Sequence, residues 1–241
     1  MAFQSRLLIS LREEVIDSLE CFNEADLVID TNDIKAAESV AKRRDNRGNE
    51  LPENVRKGFI SWEGCTGLSY LFDDFLFFEQ YRQALIKRDY NVLLKDGSFL
   101  QIQYETEDES IISHRLAFYP APFSFSAQEL EEIGLGDCFD LLSEAEMRTR
   151  MRLVSPIRFD FNRSIGHDLH PHSHLTLWQD TCRIPVYGPV SVSHFVRFLF
   201  LHFFQPYLRM ECIGELTPRI WDRTLPMPVS EELFFDTSCR S

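Results

Sequence analysis

The chain lacks the closely spaced cysteines that build zinc or redox sites. Its six cysteines are scattered over 241 residues, and no two of them form a CxxC pair. The usual spacings of structural zinc sites and of dithiol redox centres are therefore absent. A chain of this length buries enough apolar surface to fold without disulfides or metals, so we interpret the thiols as reduced and expect a cytoplasmic location.

The sequence also lacks an apolar run long enough to cross a membrane. Its most apolar stretch, Val190–Phe204, is interrupted by His194, Arg197 and His202 and is shorter than the ~20 residues that a spanning helix needs. Residues Met1–Ser10 have neither the apolar core nor the cleavage pattern of a secretory signal. We therefore predict a protein that does not interact with a membrane.

Common motifs of nucleotide-binding and hydrolytic enzymes are missing as well. The chain contains no GxGxxG, no Walker A segment and no GxSxG, which removes the usual signatures of dinucleotide, P-loop and serine hydrolase sites. The net charge of −13 argues against a general affinity for polyphosphate. The stretch Arg148–Arg183 differs, because its six arginines and three aspartates give a local charge of +3. One patch of the molecule could therefore still receive a phosphate.

Periodic apolar positions predict an ordinary mixture of helices and strands. Helical spacing predicts an N-terminal helix over Gln4–Asp30, and the polar stretch Thr31–Glu53 is typical of a loop or a second short helix. Asp96-Gly97 predicts the turn of a hairpin over Val92–Tyr104. The same reasoning predicts further helices over Leu68–Arg88, Ser126–Leu142 and Ser191–Phe204, and further strands over Ile111–Tyr119, Met147–Phe161 and His172–Trp178.

These elements favour an α+β fold. Helices at both ends of a run of adjacent strands predict an antiparallel sheet flanked by helices. We predict an N-terminal helical segment over residues 1–56 and an α+β domain with a central antiparallel sheet over residues 57–241.

The densest group of chemically capable side chains is a histidine-rich segment, His167–His174, which holds four of the seven histidines. The first interpretation is a metal-free phosphodiesterase site, which needs one imidazole as base, a second as acid and a cation for the phosphate. His172 or His174 would be the base. His114, on a neighbouring strand, would be the acid. Arg158 or Arg115 would hold the phosphate.

Three further arginines are candidate substrate-binding residues. Arg148, Arg150 and Arg152 alternate with other residues on the predicted strand Met147–Phe161. Because alternate residues of a strand share a face, we expect these guanidinium groups to point to one side of the sheet.

The second interpretation of the histidine-rich segment is a metal site. His167, Asp168 and His170, together with His172 and His174, offer imidazoles and one carboxylate, which suit zinc or manganese. The spacing matches none of HExxH, HxxEH or the deaminase signature. The third interpretation is structural, since histidines also bond to backbone carbonyls or line interfaces. The sequence does not distinguish between these three interpretations. No cofactor is predicted other than the divalent metal ion of the second interpretation.

Several segments resemble a known bacterial family. They are Ser113–Pro120 (SHRLAFYP), Ser155–Phe161 (SPIRFDF) and His170–Leu175 (HPHSHL), and Arg183–Pro185 and the helix Phe195–Phe204 fit as well. The family is catalogued as domain of unknown function 2290, and the resemblance covers most of the chain. It supplies no catalytic residues that could be carried over to this sequence.

The resemblance implies a partner and a biological role. This family occurs beside a helicase in two-gene bacterial antiviral systems, so we expect a defence subunit that works with a helicase. The His-Pro-x-x-His pattern is also similar to small bacterial toxins thought to act as ribonucleases. We expect either a nuclease-like effector whose nucleic acid the helicase delivers, or a non-catalytic subunit that docks or regulates the helicase through its Phe-rich segments, Phe72–Phe78 and Phe195–Phe204.

Overall fold

A nine-stranded antiparallel sheet dominates the part of the chain that the structure describes. The computed structural model describes residues 5–44, 49–65, 77–124, 128–129, 132, 143–165, 170–177 and 182–224. The strands are β1 (Val28–Thr31), β2 (Ile34–Arg44), β3 (Glu50–Trp62), β4 (Val92–Leu94), β5 (Phe99–Glu107), β6 (Ser110–Tyr119), β7 (Ile157–Asn162), β8 (Ser173–Leu177) and β9 (Arg183–Pro185). The helices are α1 (Arg6–Glu24), α2 (Phe77–Ile86), α3 (Glu144–Arg150), α4 (Val192–His202) and α5 (Glu211–Glu215), with a 3₁₀ turn at Gln205–Tyr207. The predicted α+β class is confirmed.

The sheet has the order β1-β4-β5-β6-β7-β8-β9, with β2 and β3 attached at one side. β5 is long enough to pair along one edge with two strands, with β4 near Phe99 and with β3 from Tyr104 to Glu107. Its other edge pairs with β6 over its whole length. Within the described residues β2 pairs with β3 alone, so it forms an edge of the sheet.

Polar groups from two parts of the chain fix the start of α1. The Ser5 hydroxyl accepts a hydrogen bond from the Leu8 N–H at 3.2 Å. The carboxylate of Glu109, in the turn between β5 and β6, accepts from the Arg6 and Leu7 N–H groups at 3.2 and 2.9 Å. The first N–H groups of a helix have no partner inside the helix, and a negative charge there is favourable. α1 is therefore tied to the sheet at its first turn.

α1 and α4 pack on one face of the sheet, here called the helical face. Cross-strand neighbours Leu116, Phe159 and Leu175 form a buried row on this face. Phe195 of α4 packs edge-on against Phe159, with ring centroids 6.0 Å apart. The two helices also contact each other through Phe22 and Phe200, whose centroids lie 4.8 Å apart. These aromatic contacts form the centre of the core.

The predictions for the N-terminal part of the chain are correct for the first helix and wrong for the segment after it. α1 lies within the predicted helix Gln4–Asp30. The stretch Thr31–Glu53, predicted as a loop or short helix, instead contains β2 and the start of β3. The predicted division between residues 56 and 57 falls inside β3. β2 is rich in charged and small residues, so its sequence lacks apolar alternation; the strand is held by its backbone pairing with β3.

A second correction concerns residues 147–153, predicted as the start of a strand. Residues Glu144–Arg150 form α3, and β7 begins only at Ile157. Ser143 and Glu146 make a reciprocal capping box that starts this helix. The helix predicted over Leu68–Arg88 is observed from Phe77 to Ile86. Its earlier part, and nearly all of Ser126–Leu142, lie outside the described residues.

Among the helices that the structure describes, none has the length and apolar character to cross a membrane.

Candidate functional site

The face of the sheet opposite α1 and α4 carries a row of polar side chains. Gln103 pairs with Arg115, Arg115 with Asp160, and Asp160 with His174, across strands β5 to β8. Residues directly opposite each other on antiparallel strands project from the same face. These four side chains therefore form one line across the sheet, and we call this side the polar face.

A cavity of about 400 Å³ lies over the polar face. We call it the central cavity. Most of its lining comes from the polar row and from the strand ends beside it. The ionisable and imidazole groups that matter most are Arg115, Arg158, Asp160, His170, His174 and Arg183.

Asp160 joins two arginines at the floor of the central cavity. Its Oδ1 accepts a hydrogen bond from Arg115 Nε at 3.1 Å, and its Oδ2 pairs with Arg158 Nε. Arg158 is only 6% exposed, so its charge requires a buried partner. Burial by itself would raise the pKa of the Asp160 carboxyl, but Arg158 and Arg115 outweigh it and lower that pKa below its usual value. Asp160 is therefore ionised at neutral pH.

His174 stands beside this ion pair with a defined tautomer. Its Nδ1 lies 3.0 Å from the carbonyl oxygen of Pro171, and since a carbonyl only accepts, Nδ1 carries the proton. Its Nε2 is 3.8 Å from Asp160 Oδ2. Burial lowers the pKa of His174 to about 4, although Asp160 acts in the opposite direction. At neutral pH the imidazole is uncharged, and Nε2 is an unprotonated base within the cavity wall.

On β8 and β9, two groups of the polar face have polar atoms without hydrogen-bond partners in the described part of the chain. They are Arg183 Nε and the Thr176 hydroxyl, and these two residues are cross-strand neighbours. Thr176 also pairs with Arg158 on its other side. Buried polar atoms without partners are rare and usually mark the position of a water, an ion or a ligand.

His170 brings a second imidazole to the central cavity. Its ring centroid is 4.9 Å from that of His174, with the two rings nearly perpendicular. Three guanidinium groups, from Arg115, Arg158 and Arg183, thus lie in one cavity lining with these two imidazoles and with the carboxylates of Asp160 and Glu105. This arrangement suits an anion with several oxygen acceptors, such as a phosphate.

His114 is also part of the lining of the central cavity, but it does not belong to the polar row. It pairs with Tyr104 and Phe161 across the sheet, which places its ring on the helical face. There its Nε2 accepts a hydrogen bond from the Val190 N–H at 2.9 Å. Burial lowers its pKa to about 4. Strand alternation therefore places His114 and His174 on opposite faces of the sheet, although both contribute to the lining of the central cavity.

His172 lies at a different opening. Its Nδ1 donates to the carbonyl oxygen of Asn162 at 3.1 Å. The ring lines a cavity of about 410 Å³ with Arg163 and Trp221, which we call the second cavity. Of the residues predicted as catalytic, His114, Arg158 and His174 line the central cavity with the predicted phosphate ligand Arg115, whereas His172 is outside it.

The three arginines predicted to share a strand face do not do so. Arg148 and Arg150 belong to α3, and Arg152 lies just beyond its end. Arg150 Nη1 pairs with Glu129 at 2.7 Å, and Arg152 Nη2 donates to the Ser124 hydroxyl at 2.7 Å. None of the three lines the central cavity.

The residues predicted for a metal site are only partly described. His167 and Asp168 lie outside the described residues, and His170 lies at the central cavity. Among the residues with described positions, no cluster of three or more His, Cys, Asp or Glu side chains could hold a metal ion.

Sequence reasoning did not assign a role to Asp160, Thr176 or Arg183. The signal for the first two was present, because Asp160 alternates with Arg158 and Thr176 alternates with His174 along their strands. Alternation also places adjacent residues such as His114 and Arg115 on opposite faces. Arg183 had no comparable signal, since it lies on the short edge strand β9.

The fold and the site define an α+β protein with a partly buried basic cavity on the face of its sheet opposite α1 and α4. The chain belongs to the family described as uncharacterized conserved protein (DUF2290), whose model matches residues 45–235. No curated protein and no solved structure matches the chain. The family assignment made from the sequence segments is confirmed, and those segments supply most of the central cavity's ionisable residues, among them Arg115, Arg158, Asp160 and His174.

Proposed function

We propose that this chain is the nucleic-acid-handling subunit of a bacterial antiviral defence system, and that the central cavity binds a phosphodiester group. The observation that carries the proposal is the meeting of Arg115, Arg158 and Arg183 with two imidazoles at one cavity. Arginine's planar fork of donors matches phosphate oxygens, and a partly buried cavity strengthens that attraction. The unpartnered Nε of Arg183 would gain an acceptor from the bound phosphate.

The same geometry supports cleavage of RNA without a metal ion. His174 Nε2, unprotonated at neutral pH, would take the proton from a ribose 2′-hydroxyl, and the resulting oxygen would attack the adjacent phosphorus. The bond from phosphorus to the 5′-oxygen would then break. Protonated His170 would give its proton to that leaving oxygen, and the product would be a 2′,3′-cyclic phosphate. The arginines would stabilise the extra negative charge on the phosphorane.

A partner must bring the nucleic acid to this cavity. The chain carries a net charge of −13, so its overall field repels a polyanion while one local site attracts a phosphate. A helicase, the neighbour that the family resemblance implies, would supply the main binding surface and present a single strand. The expected place of action is the cytoplasm, where invading nucleic acid is exposed.

The test is cleavage of labelled single-stranded RNA by the purified chain together with its helicase. We expect His174→Ala and Arg158→Met to abolish cleavage, with cyclic phosphate ends only on the native products. His202→Gln is the control, because His202 lies at the end of α4 and does not line the central cavity, and this variant should cleave at a rate close to the native one. Equal cleavage by His174→Ala and the native chain would exclude His174 as the base.

A second candidate is a subunit that docks on the helicase without catalysis. Leu201 and Phe203, at the end of α4, are 47% and 44% exposed, whereas Phe195 and Phe200 of the same segment are core residues. The other Phe-rich segment, Phe72–Phe78, lies almost wholly outside the described residues. Large apolar side chains exposed at a surface can belong to an interaction site. Loss of helicase co-purification in Leu201→Ser/Phe203→Ser, with RNA left intact by the native pair, would favour this candidate.

A further inference from the structure

We infer that the second cavity is a subsite for a nucleobase, next to the phosphate site of the central cavity. The inference rests on the proposed function and extends it, because it makes single-stranded RNA with an unstacked base the preferred ligand. The second cavity has a volume of about 410 Å³, which is within the range of small-molecule pockets, about 300 to 1,000 Å³.

The charge of the second cavity suits a neutral ligand. Its wall contains the cations Arg163 and Arg223 and the carboxylates Glu109 and Asp222, so the formal charges cancel. The Glu109 carboxylate is already engaged by the first N–H groups of α1. A phosphate would gain little binding free energy in the second cavity. In the central cavity the three arginines outnumber the carboxylates, so the attraction for a phosphate is stronger.

The remaining lining suits a planar heterocycle. Ile111, Phe161, Pro189 and Trp221 supply apolar and aromatic surface. The Trp221 Nε1–H and the Thr224 hydroxyl are buried, and neither has a hydrogen-bond partner among the described residues. A nucleobase carries both a flat apolar surface and ring or carbonyl acceptors, so it would satisfy both requirements at once.

Trp221 is held in place before any ligand binds. The Arg219 guanidinium lies over its ring, 5.3 Å from the centroid, and Arg219 is in turn paired with Glu14 at 3.6 Å. Thr224 is anchored by its N–H, which donates to the Tyr187 carbonyl at 3.0 Å. Rigid donors lose little conformational entropy on binding, which favours recognition.

The linings of the two cavities adjoin at the carboxyl end of β7. Asn162 lines the central cavity, and the next residue, Arg163, lines the second cavity. Phe161 contributes to both walls. A single nucleotide could therefore place its phosphate against Arg158 and turn its base toward Trp221.

The experiment measures binding of the full-length chain, with its helicase, to fluorescein-labelled hexauridylate by anisotropy, and displacement of that RNA by inorganic phosphate. Trp221→Phe keeps an aromatic ring but removes the N–H, and we expect it to weaken RNA binding about fivefold. The inhibition constant for inorganic phosphate should not change. Arg158→Met is the comparison, because it should weaken both ligands.

Thr224→Val is the second variant, and thermal melting checks that both variants fold. Native affinity for RNA in both variants would overturn the base subsite and leave the phosphate proposal standing. Absence of RNA binding by the native chain with its helicase would overturn both proposals. A hexamer with one abasic position, bound as weakly by the native chain as the intact hexamer is by Trp221→Phe, would support the subsite directly.

Discussion

At the scale of single residues, Asp160 determines whether the central cavity can hold its arginines. The Asp160 carboxylate compensates the charge of the Arg158 guanidinium, which is almost completely buried. It also orients the side chain of Arg115. A buried ion pair contributes little net stability compared with apolar packing, but removal of one partner leaves an uncompensated charge in the interior.

We therefore expect Asp160→Asn to lower the free energy of unfolding by about 3 kcal/mol. Urea unfolding at pH 7 measures this change. The matched control is Asp26→Asn, because Asp26 pairs with Lys95 at 2.8 Å but its side chain is 90% exposed. The control should change stability by less than about 1 kcal/mol. Added phosphate should stabilise Asp160→Asn more than the native chain, since an anion can replace the missing carboxylate.

The buried histidine on the other face makes the stability depend on pH. The pKa of His114 is lowered from 6.5 to about 4 by burial, so between these values the unfolded chain binds a proton that the folded chain does not. Its contribution to stability is complete above pH 6.5 and is lost as the pH falls toward 4. In His114→Gln we expect the slope of unfolding free energy against pH in this window to fall by up to about 1.4 kcal/mol per pH unit.

Above pH 7 the unfolding free energies of the native chain and of His114→Gln should change with pH in parallel. This range is the internal control. The measurement is urea unfolding at several pH values, and subtraction removes the contributions of groups common to both proteins. Identical slopes below pH 6.5 would show that His114 does not titrate differently in the folded chain.

At the scale of elements, most of the fold could be predicted where side-chain pattern and burial agree. The β4–β5 hairpin, β6, β8 and α4 all carry a clear apolar period or a turn signal, and all were predicted close to their observed limits. α1 was also predicted, but the prediction continued to Asp30, whereas the helix ends at Glu24 and Val28–Thr31 form β1. β2 was not predictable in this way, because its pairing with β3 supplies the order that its side chains do not encode. At α3 the sequence contains the Ser143–Glu146 capping box, which favours a helix. This signal prevails over the alternating arginines, which had favoured a strand.

The candidate site was predicted less completely than the fold. Arg158, Arg115 and His174 were identified from residue type and position, and they do share the central cavity. Strand parity, applied strictly, would have excluded His114 from that face. The position of His172 depends on where β8 begins, since one residue decides whether a side chain belongs to the strand or to the loop before it.

The contact between β3, β5 and α1 depends on a residue without a side chain. A Cβ added at Gly58 would overlap Thr106 Oγ1 and lie 2.9 Å from Leu8 Cδ1. We expect Gly58→Ala to lower the unfolding free energy by about 2 kcal/mol. Gly214→Ala is the control, because an added Cβ there meets nothing within 4 Å. Similar melting temperatures for the two variants would contradict this account of the packing.

At the scale of the whole molecule, the electrostatics limit how the chain alone can bind nucleic acid. Only a few cations surround the central cavity, and the rest of the chain is strongly acidic. If the three cavity arginines contact RNA phosphates, the slope of log affinity against log salt for single-stranded RNA should be about −2. Anisotropy titrations of the isolated chain between low and moderate sodium chloride give this slope. A slope of about −5 would mean that the RNA contacts a basic surface wider than the central cavity.

The first helix has a practical consequence for anyone who trims the protein. The family match begins at residue 45, yet α1 lies before that point and buries Leu8, Leu11 and Val15 against the sheet. A fragment that starts at the match would expose an apolar part of the sheet to water. It would also remove β2, the strand that pairs with β3. Such a fragment should aggregate during expression. The limits of family similarity are therefore a poor guide to where this protein can be truncated.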